Sequence, residues 1–154
     1  MVDGALRDSG LNAARLELEQ TESTPFKDDA NARQTLQSLR SRGIKIALDD
    51  FGAGYSSLSY LRKFALDKLK IDRSFVAALE VPTADASALA IVQAILQLAQ
   101  ALGMQTTAEG VETKNGFDRL SAMGCTQAQG YFVAKPMDIQ ATRAFIESNR
   151  VVGA

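Results

Sequence analysis

The chain has 154 residues, 46% of them hydrophobic and 23% charged, with a formal net charge of −1 at pH 7. This balance predicts one globular unit and gives no overall attraction to nucleic acid or an anionic membrane. The sequence has no histidine and one cysteine, Cys125, which excludes Ser-His-Asp and Cys-His catalytic groups, an internal disulfide and a cysteine zinc site. Cys125 is expected to be a small packing residue, and any catalysis must use carboxylates, lysine, amides and a hard metal ion.

Short β-like segments alternate with longer amphipathic segments along the chain. The predicted strands are 15–20, 44–50, 67–72, 105–110 and 126–132, each expected to be buried. The predicted helices are 28–43, 56–61, 85–103, 114–123 and 138–148. The helix over 85–103 is apolar over most of its surface and is interpreted as a core or dimer-face helix. The strand-helix alternation predicts a parallel sheet, open or closed.

Polar residues lie at or just beyond the C-terminal end of each predicted strand. In chain order they are Glu19 and Glu22, Asp49 and Asp50, Lys70 and Asp72, Glu109 and Glu112, and Gln129. In a (β/α) barrel these strand ends converge on one rim, where the active site is built. Converging carboxylates repel one another unless a cation neutralises them, and oxygen ligands suit Mg²⁺ or Mn²⁺. The pattern therefore predicts an acidic, ion-binding site.

Asp49 and Asp50 are adjacent in the sequence LDDFGAGYSS, residues 48–57. Neighbouring strand residues point to opposite faces, so both carboxylates can serve one site only if the strand ends and the backbone turns there. The following Gly-rich stretch allows such a turn. A kinase reading of DFG is disfavoured because the sequence has no HRD motif and no kinase-type glycine-rich loop.

Five segments occur in a recognisable order and spacing. They are ELEQTES (17–23), LDDFGAGYSSLSYL (48–61), LKIDRSFV (69–76), TAEGVET (107–113) and QAQGYFVAKPM (127–137). Together they resemble the EAL-domain family, cyclic di-GMP phosphodiesterases with a TIM-like barrel. The resemblance implies an α/β fold, an incomplete TIM-like (β/α) barrel of parallel strands alternating with helices, with residues 1–154 forming the C-terminal portion of the domain.

The resemblance also implies roles for individual residues. Four carboxylates would be ligands of two Mg²⁺ or Mn²⁺ ions, with Asp49 bridging: Glu19, Asp49, Asp50 and Glu109. Lys70 would orient the attacking water, and Glu109 and Gln129 would complete the catalytic group. Gln129 and Pro136 would contact substrate, while Glu22 and Glu112 would steady the DFGAGYSS loop. Two ions would activate a water for in-line attack on a phosphodiester, giving linear pGpG from cyclic di-GMP.

This sequence departs from the family pattern at its N-terminal side. The Glu-Ala-Leu motif, the Arg after it and an Asn of the next strand are not present, and a (β/α)₈ barrel typically takes about 250 residues. The expectation is therefore an enzyme impaired in this truncated chain, either a fragment of a larger protein or a barrel completed by another copy. The alternative is a non-catalytic module that binds cyclic di-GMP or a protein.

The expected partners follow from the same resemblance. They are cyclic di-GMP and a second copy of the chain, paired through helix 85–103 or the segment 81–87 before it. No DNA or RNA polymer and no membrane contact are expected from this segment. The N-terminus has no apolar stretch of signal-peptide length, so the expected location is the bacterial cytoplasm, with the chain alone or within a larger multidomain or membrane-attached protein.

Overall fold

A computed structural model describes residues 2–21, 30–52, 61, 63–81 and 86–149. Five parallel strands form one sheet in the order β1-β2-β3-β4-β5. The strands are β1 (Glu17–Thr21), β2 (Lys45–Phe51), β3 (Lys68–Ile71), β4 (Gln105–Glu109) and β5 (Gln127–Gln129). The observed pairing confirms the parallel sheet that strand-helix alternation predicts. Consecutive parallel strands require a crossover connection between them, which a helix commonly supplies.

Helices precede, separate and follow these strands. They are α1 (Val2–Ser9), α2 (Ala30–Ser41), α3 (Arg73–Glu80), α4 (Ala86–Ala101), α5 (Lys114–Ala122) and α6 (Ile139–Ser148), with a short 3₁₀ helix at Ala13–Arg15. The side chains of Asp72, Thr113 and Asp138 accept backbone N–H groups at the starts of α3, α5 and α6. The predicted cap at Asp28 or Asp29 lies outside the described residues, as does most of the helix predicted over 56–61.

The sheet has one apolar face and one polar face because alternate strand residues point in opposite directions. Ile46, Leu48, Leu69 and Ile71 are almost fully buried on the apolar face, where they join helix residues in one core. Those helix residues include Val76, Leu79, Val92, Leu96 and Leu120. Burial of each such side chain stabilises the fold by roughly 1.5–3 kcal/mol. The opposite face carries the charged residues of β1, β3 and β4.

Burial decreases from the centre of the sheet to its edges. All four residues of β3 are buried, whereas β1 is half-buried and β5 is exposed at two of its three positions. The expectation of five buried strands is therefore wrong for β1 and β5, because each is an edge strand with one neighbour among the described residues. The strand predicted over 126–132 is also shorter, since Val133 donates back to the carbonyl of Gly130 in a turn.

Helix α4 packs on the core with one face, which carries Ala88, Val92, Ile95, Leu96 and Ala99. Leu89 and Ile91 lie on its more exposed surface. Cys125 packs against the same core, as expected for a small apolar side chain. Within the described part of the chain, none of the helices has the length and apolar character needed to cross a membrane.

Candidate active site

Lys70 is the centre of a charged group on the polar face of the sheet. Its Nζ lies 2.8 Å from Oε2 of Glu19, 2.9 Å from Oδ1 of Asp49 and 2.7 Å from Oε1 of Glu109. The three carboxylates come from β1, β2 and β4, the strands around β3, and the Lys70 side chain is only 6% exposed. Four strands thus deliver charged groups to one point.

The electrostatics of Lys70 are set by two opposing effects. Burial alone would lower the pKa of the ammonium, because a low-dielectric surrounding disfavours its charge. Hydrogen bonds to Glu109, Glu19 and Asp49 favour the charged form, and together they hold the pKa of Lys70 well above its usual range. Lys70 is therefore a protonated donor at neutral pH.

Both adjacent aspartates reach this group through an irregularity in β2. Leu48 pairs with Leu69 and Phe51 with Ile71, so β2 has one more residue than β3 between these pairs. Asp50 has φ +55°, the left-handed region, and is the non-glycine residue found there within the described ranges. The expected turn of the backbone is present, but β2 continues one residue further than predicted, to Phe51, and a bulge turns Asp50 toward the site.

Asp49, Asp50 and Glu109 fit a divalent cation by their arrangement. Each offers a carboxylate oxygen, these oxygens lie within 4.8 Å of one another, and all three residues are half-buried. Such an oxygen-only set suits Mg²⁺ or Mn²⁺. Glu19 contacts the same ammonium as Asp49 and Glu109, so the four carboxylates expected to bind metal meet around Lys70.

A second lysine on β3 forms a separate ion pair on the same face. Lys68 Nζ lies 2.7 Å from Oε2 of Glu17, and the Lys68 side chain is 10% exposed. Sequence reasoning did not single out this pair. The alternation of charge in the segments ELE (17–19) and KLK (68–70) was the available signal, because residues two apart on a strand share a face.

The structure describes four further residues named from sequence, Glu112, Gln129, Pro136 and Asp72. Glu112 pairs with Arg73 at 2.7 Å. The DFGAGYSS loop, which Glu112 and Glu22 were expected to steady, lies mostly outside the described residues, and Glu22 lies outside them too. Gln129 pairs in register with Glu109, and its side chain is exposed. Pro136 is exposed in the segment between β5 and α6. Asp72 caps α3 by accepting from the N–H of Ser74.

Comparison with known proteins identifies the family. The EAL domain model matches residues 2–136, and the chain belongs to this family. It is 40% identical over 146 residues to the cyclic di-GMP phosphodiesterase NbdA of Pseudomonas aeruginosa, covering 95% of this chain and 18% of NbdA. The chain thus spans about a fifth of that relative's length.

Solved structures support the fold assignment. The EAL domain of Mycobacterium smegmatis DcpA superposes with a TM-score of 0.89 at 41% identity, covering 97% of this chain and 66% of that one. The fold is therefore α/β and a partial EAL-type barrel, as expected from sequence. The manganese/cy-diGMP complex of Klebsiella pneumoniae BlrP1 superposes with a TM-score of 0.78 at 34% identity, covering 88% of this chain and 34% of BlrP1.

Proposed function

We propose that residues 1–154 are the C-terminal portion of an EAL phosphodiesterase domain that hydrolyses cyclic di-GMP to linear pGpG. One observation carries this proposal: a buried ammonium, Lys70, within 2.7 to 2.9 Å of three carboxylates from three strands. It is supported by the family match and by relatives named as cyclic di-GMP phosphodiesterases.

The carboxylates define where ions would bind. Asp49, Asp50, Glu109 and Glu19 would hold two Mg²⁺ or Mn²⁺ ions, with Asp49 shared between them. Such ions, when bound, lower the pKa of a coordinated water and offset charge on a phosphodiester. The manganese and calcium complexes of BlrP1 with cy-diGMP are consistent with a divalent site in a similar fold.

Lys70 would contribute fixed positive charge. Because hydrogen bonds to carboxylates favour its charged form, it would donate to a water or to a phosphate oxygen. Its contacts with Glu19, Asp49 and Glu109 also hold those carboxylates around one point. Lys70 would therefore orient the nucleophile and offset developing negative charge.

The remaining assignments concern the edges of the site. Gln129 would bind substrate through its amide and assist catalysis beside Glu109, its register partner, and Pro136 would contact substrate. Glu112 and Glu22 would steady the loop over 50–57. A homodimer and a location in the bacterial cytoplasm, within a larger or membrane-attached protein, complete the proposal. We expect no DNA or RNA partner.

Hydrolysis by the isolated chain is expected to be weak. The sequence has no Glu-Ala-Leu motif, and the Glu and Asn that family resemblance adds to the ligand set are not among these residues. This observation favours a second candidate function, a module that binds cyclic di-GMP or a protein without hydrolysing it.

The test is to incubate the purified chain with cyclic di-GMP and Mn²⁺ and to follow pGpG by chromatography. Asp49→Asn removes a proposed ligand charge, and Glu17→Gln is the matched control because Glu17 pairs with Lys68 instead of Lys70. Slow pGpG formation that Asp49→Asn abolishes and Glu17→Gln preserves supports the enzyme. Mn²⁺-dependent cyclic di-GMP binding without pGpG supports the binding module. A chain that neither binds nor hydrolyses cyclic di-GMP would contradict both the enzyme and the cyclic di-GMP-binding module.

A further inference from the structure

The turn that follows Glu109, residues 110–113, is fixed by side chains from α3. Glu80, the last residue of α3, accepts three hydrogen bonds through one oxygen. Its Oε1 lies 2.8 Å from the amide nitrogen of Glu112, 2.9 Å from that of Thr113 and 3.1 Å from the Thr113 hydroxyl. A carboxylate bound to backbone N–H groups forms charge-assisted hydrogen bonds, which are stronger than neutral ones. Glu80 therefore anchors the far end of the turn.

The same contact continues into α5. The N–H of Gly116 donates to the Thr113 hydroxyl at 3.0 Å, and that hydroxyl donates to Glu80. Gly116 has no side chain, and a Cβ built there would lie 2.5 Å from Oε1 of Glu80. The space in which the Glu80 carboxylate lies thus depends on this glycine.

The near end of the turn is held from two other directions. Gly110 has φ +69°, and a Cβ there would overlap the aliphatic stem of Arg73, the first residue of α3. Arg73 also pairs with Glu112 at 2.7 Å. Val111 donates to the carbonyl of Gln129 at 3.1 Å, and Gly130 approaches the Val111 backbone too closely for any Cβ.

Helix α3 therefore links Lys70 to the backbone beside Glu109. The helix begins three residues after Lys70, and its first and last residues both contact the turn 110–113. Lys70 and Glu109 are themselves in contact at 2.7 Å. A turn that shifts would rotate the backbone directly after Glu109 and move its carboxylate relative to Asp49 and Asp50.

We propose that Glu80 is a positioning residue for the ion site, acting through turn 110–113 to hold the Glu109 carboxylate in place. This inference rests on the proposed function of the site as a divalent-cation centre. Residues that orient ligands from outside the ligand set typically contribute about tenfold or more to metal affinity. The Glu80 carboxylate bonds Glu112 and Thr113, neither of which is a proposed metal ligand. Its effect on the ion site would therefore pass through the backbone.

The experiment measures Mn²⁺ affinity of the 154-residue chain by electron paramagnetic resonance, and amide hydrogen exchange at Glu112 and Thr113 without metal. Glu80→Ala removes the acceptor, and Glu80→Gln keeps an acceptor oxygen. Glu147→Ala, on exposed α6, is the matched control because it removes the same charge away from the turn. Gly116→Ala places a methyl group against the Glu80 carboxylate, and the double variant Glu80→Ala/Gly116→Ala removes that clash.

We expect Glu80→Ala to weaken Mn²⁺ binding about tenfold and to speed exchange at both amides, with Glu80→Gln recovering most of each loss and Glu147→Ala unchanged. Gly116→Ala alone should behave like Glu80→Ala, and the double variant should bind Mn²⁺ no more weakly than Glu80→Ala.

Unchanged Mn²⁺ affinity in Glu80→Ala, with the wild-type chain binding Mn²⁺, would overturn the positioning role while leaving the proposed function intact. Unchanged amide exchange would overturn it as well. A wild-type chain that binds no Mn²⁺ would overturn the proposed function and the role derived from it.

Discussion

Two lysines on strand β3 share a face, are two residues apart and are both buried, yet their surroundings differ. Lys68 pairs with one carboxylate, Glu17, whereas Lys70 contacts Glu19, Asp49 and Glu109. One carboxylate is enough to balance a buried ammonium. The two further carboxylates at Lys70 also favour its charged form, but they repel each other and leave the group with net negative charge. This excess of negative charge at Lys70 is what we propose would accommodate further cations, whereas the single Glu17–Lys68 pair leaves no such excess.

The two lysines also differ in their position along strand β3. Lys70 lies toward the C-terminal ends of the parallel strands, where Glu109 is the last residue of β4 and the β2 bulge turns Asp50 toward the same group. Lys68 lies at the start of β3, away from those loops. Carboxyl ends of parallel strands are where the loops that build sites emerge.

The largest expected effect is the destabilisation caused by Lys70→Met when a chelator keeps the chain free of metal ions. Removing the ammonium leaves three carboxylates facing one another with no compensating charge, which should lower the free energy of unfolding by about 3 kcal/mol. Mn²⁺ should restore part of this loss by supplying positive charge. Urea unfolding with and without Mn²⁺ measures both. Because the pKa of Lys70 is raised, its contribution is complete below pH 10.5, the ordinary lysine value, and is lost only as pH rises through the higher folded-state pKa. A loss that Mn²⁺ leaves unchanged would contradict the distinction between the two lysines.

Lys68→Met should cost less, about 2 kcal/mol, because Glu17 is 29% exposed and water can partly solvate it once its partner is gone. Mn²⁺ should not change the result, since one carboxylate does not form an ion site. The same urea titration serves as the measurement. If Mn²⁺ restored as much stability to Lys68→Met as to Lys70→Met, there would be no basis for treating the two lysines differently.

Asp67→Asn should cost about 1 kcal/mol and report on a third charged contact beside β3. Asp67 accepts from Arg40 and from the N–H of Ile46. Burial raises the pKa of Asp67, but the hydrogen bonds from Arg40 and Ile46 outweigh burial, so the folded-state pKa is lowered from 3.8. Its stabilisation is therefore present above pH 3.8 and is lost as pH falls through the folded-state value. Urea unfolding across acidic pH should show wild type and variant converging there. A difference that persists at the lowest pH would mean the charge is not responsible.

The smallest effect belongs to an exposed pair. Lys114 and Asp118 lie 2.6 Å apart at i and i+4 on α5, with both side chains more than half exposed. Lys114→Ala should change the free energy of unfolding by about 0.3 kcal/mol, since water and salt screen such pairs. Thermal unfolding at low and high salt measures it. A cost comparable to that of Lys68→Met would show that burial is not what separates these contacts.

Much of the site could be predicted from sequence because strand periodicity and strand ends carry the information. Glu19, Asp49, Lys70 and Glu109 were expected on one rim, and the structure brings their charged atoms together. The expected parallel sheet is confirmed for the same reason. The Glu17–Lys68 pair could have been inferred, since each of its residues lies two positions from a named site residue.

Other features depend on three-dimensional contacts that periodicity does not encode. The sequence predicted a strand end with a backbone turn at the aspartates, whereas the turn is made inside β2 by an extra residue and a left-handed Asp50, which arise from pairing between β2 and β3. Glu80 contacts residues more than thirty positions away in sequence. Its role depends on how α3 packs beside the turn 110–113, which no local pattern indicates.

The most direct test of the central claim is a Mn²⁺ titration of the wild-type chain, Asp49→Asn and Glu17→Gln, followed by calorimetry. The account predicts that the wild type binds Mn²⁺, that Asp49→Asn weakens binding by about tenfold or more, and that Glu17→Gln binds as the wild type does. Absence of binding in the wild type, or equal losses in the two variants, would contradict the claim that the carboxylates around Lys70 form an ion site.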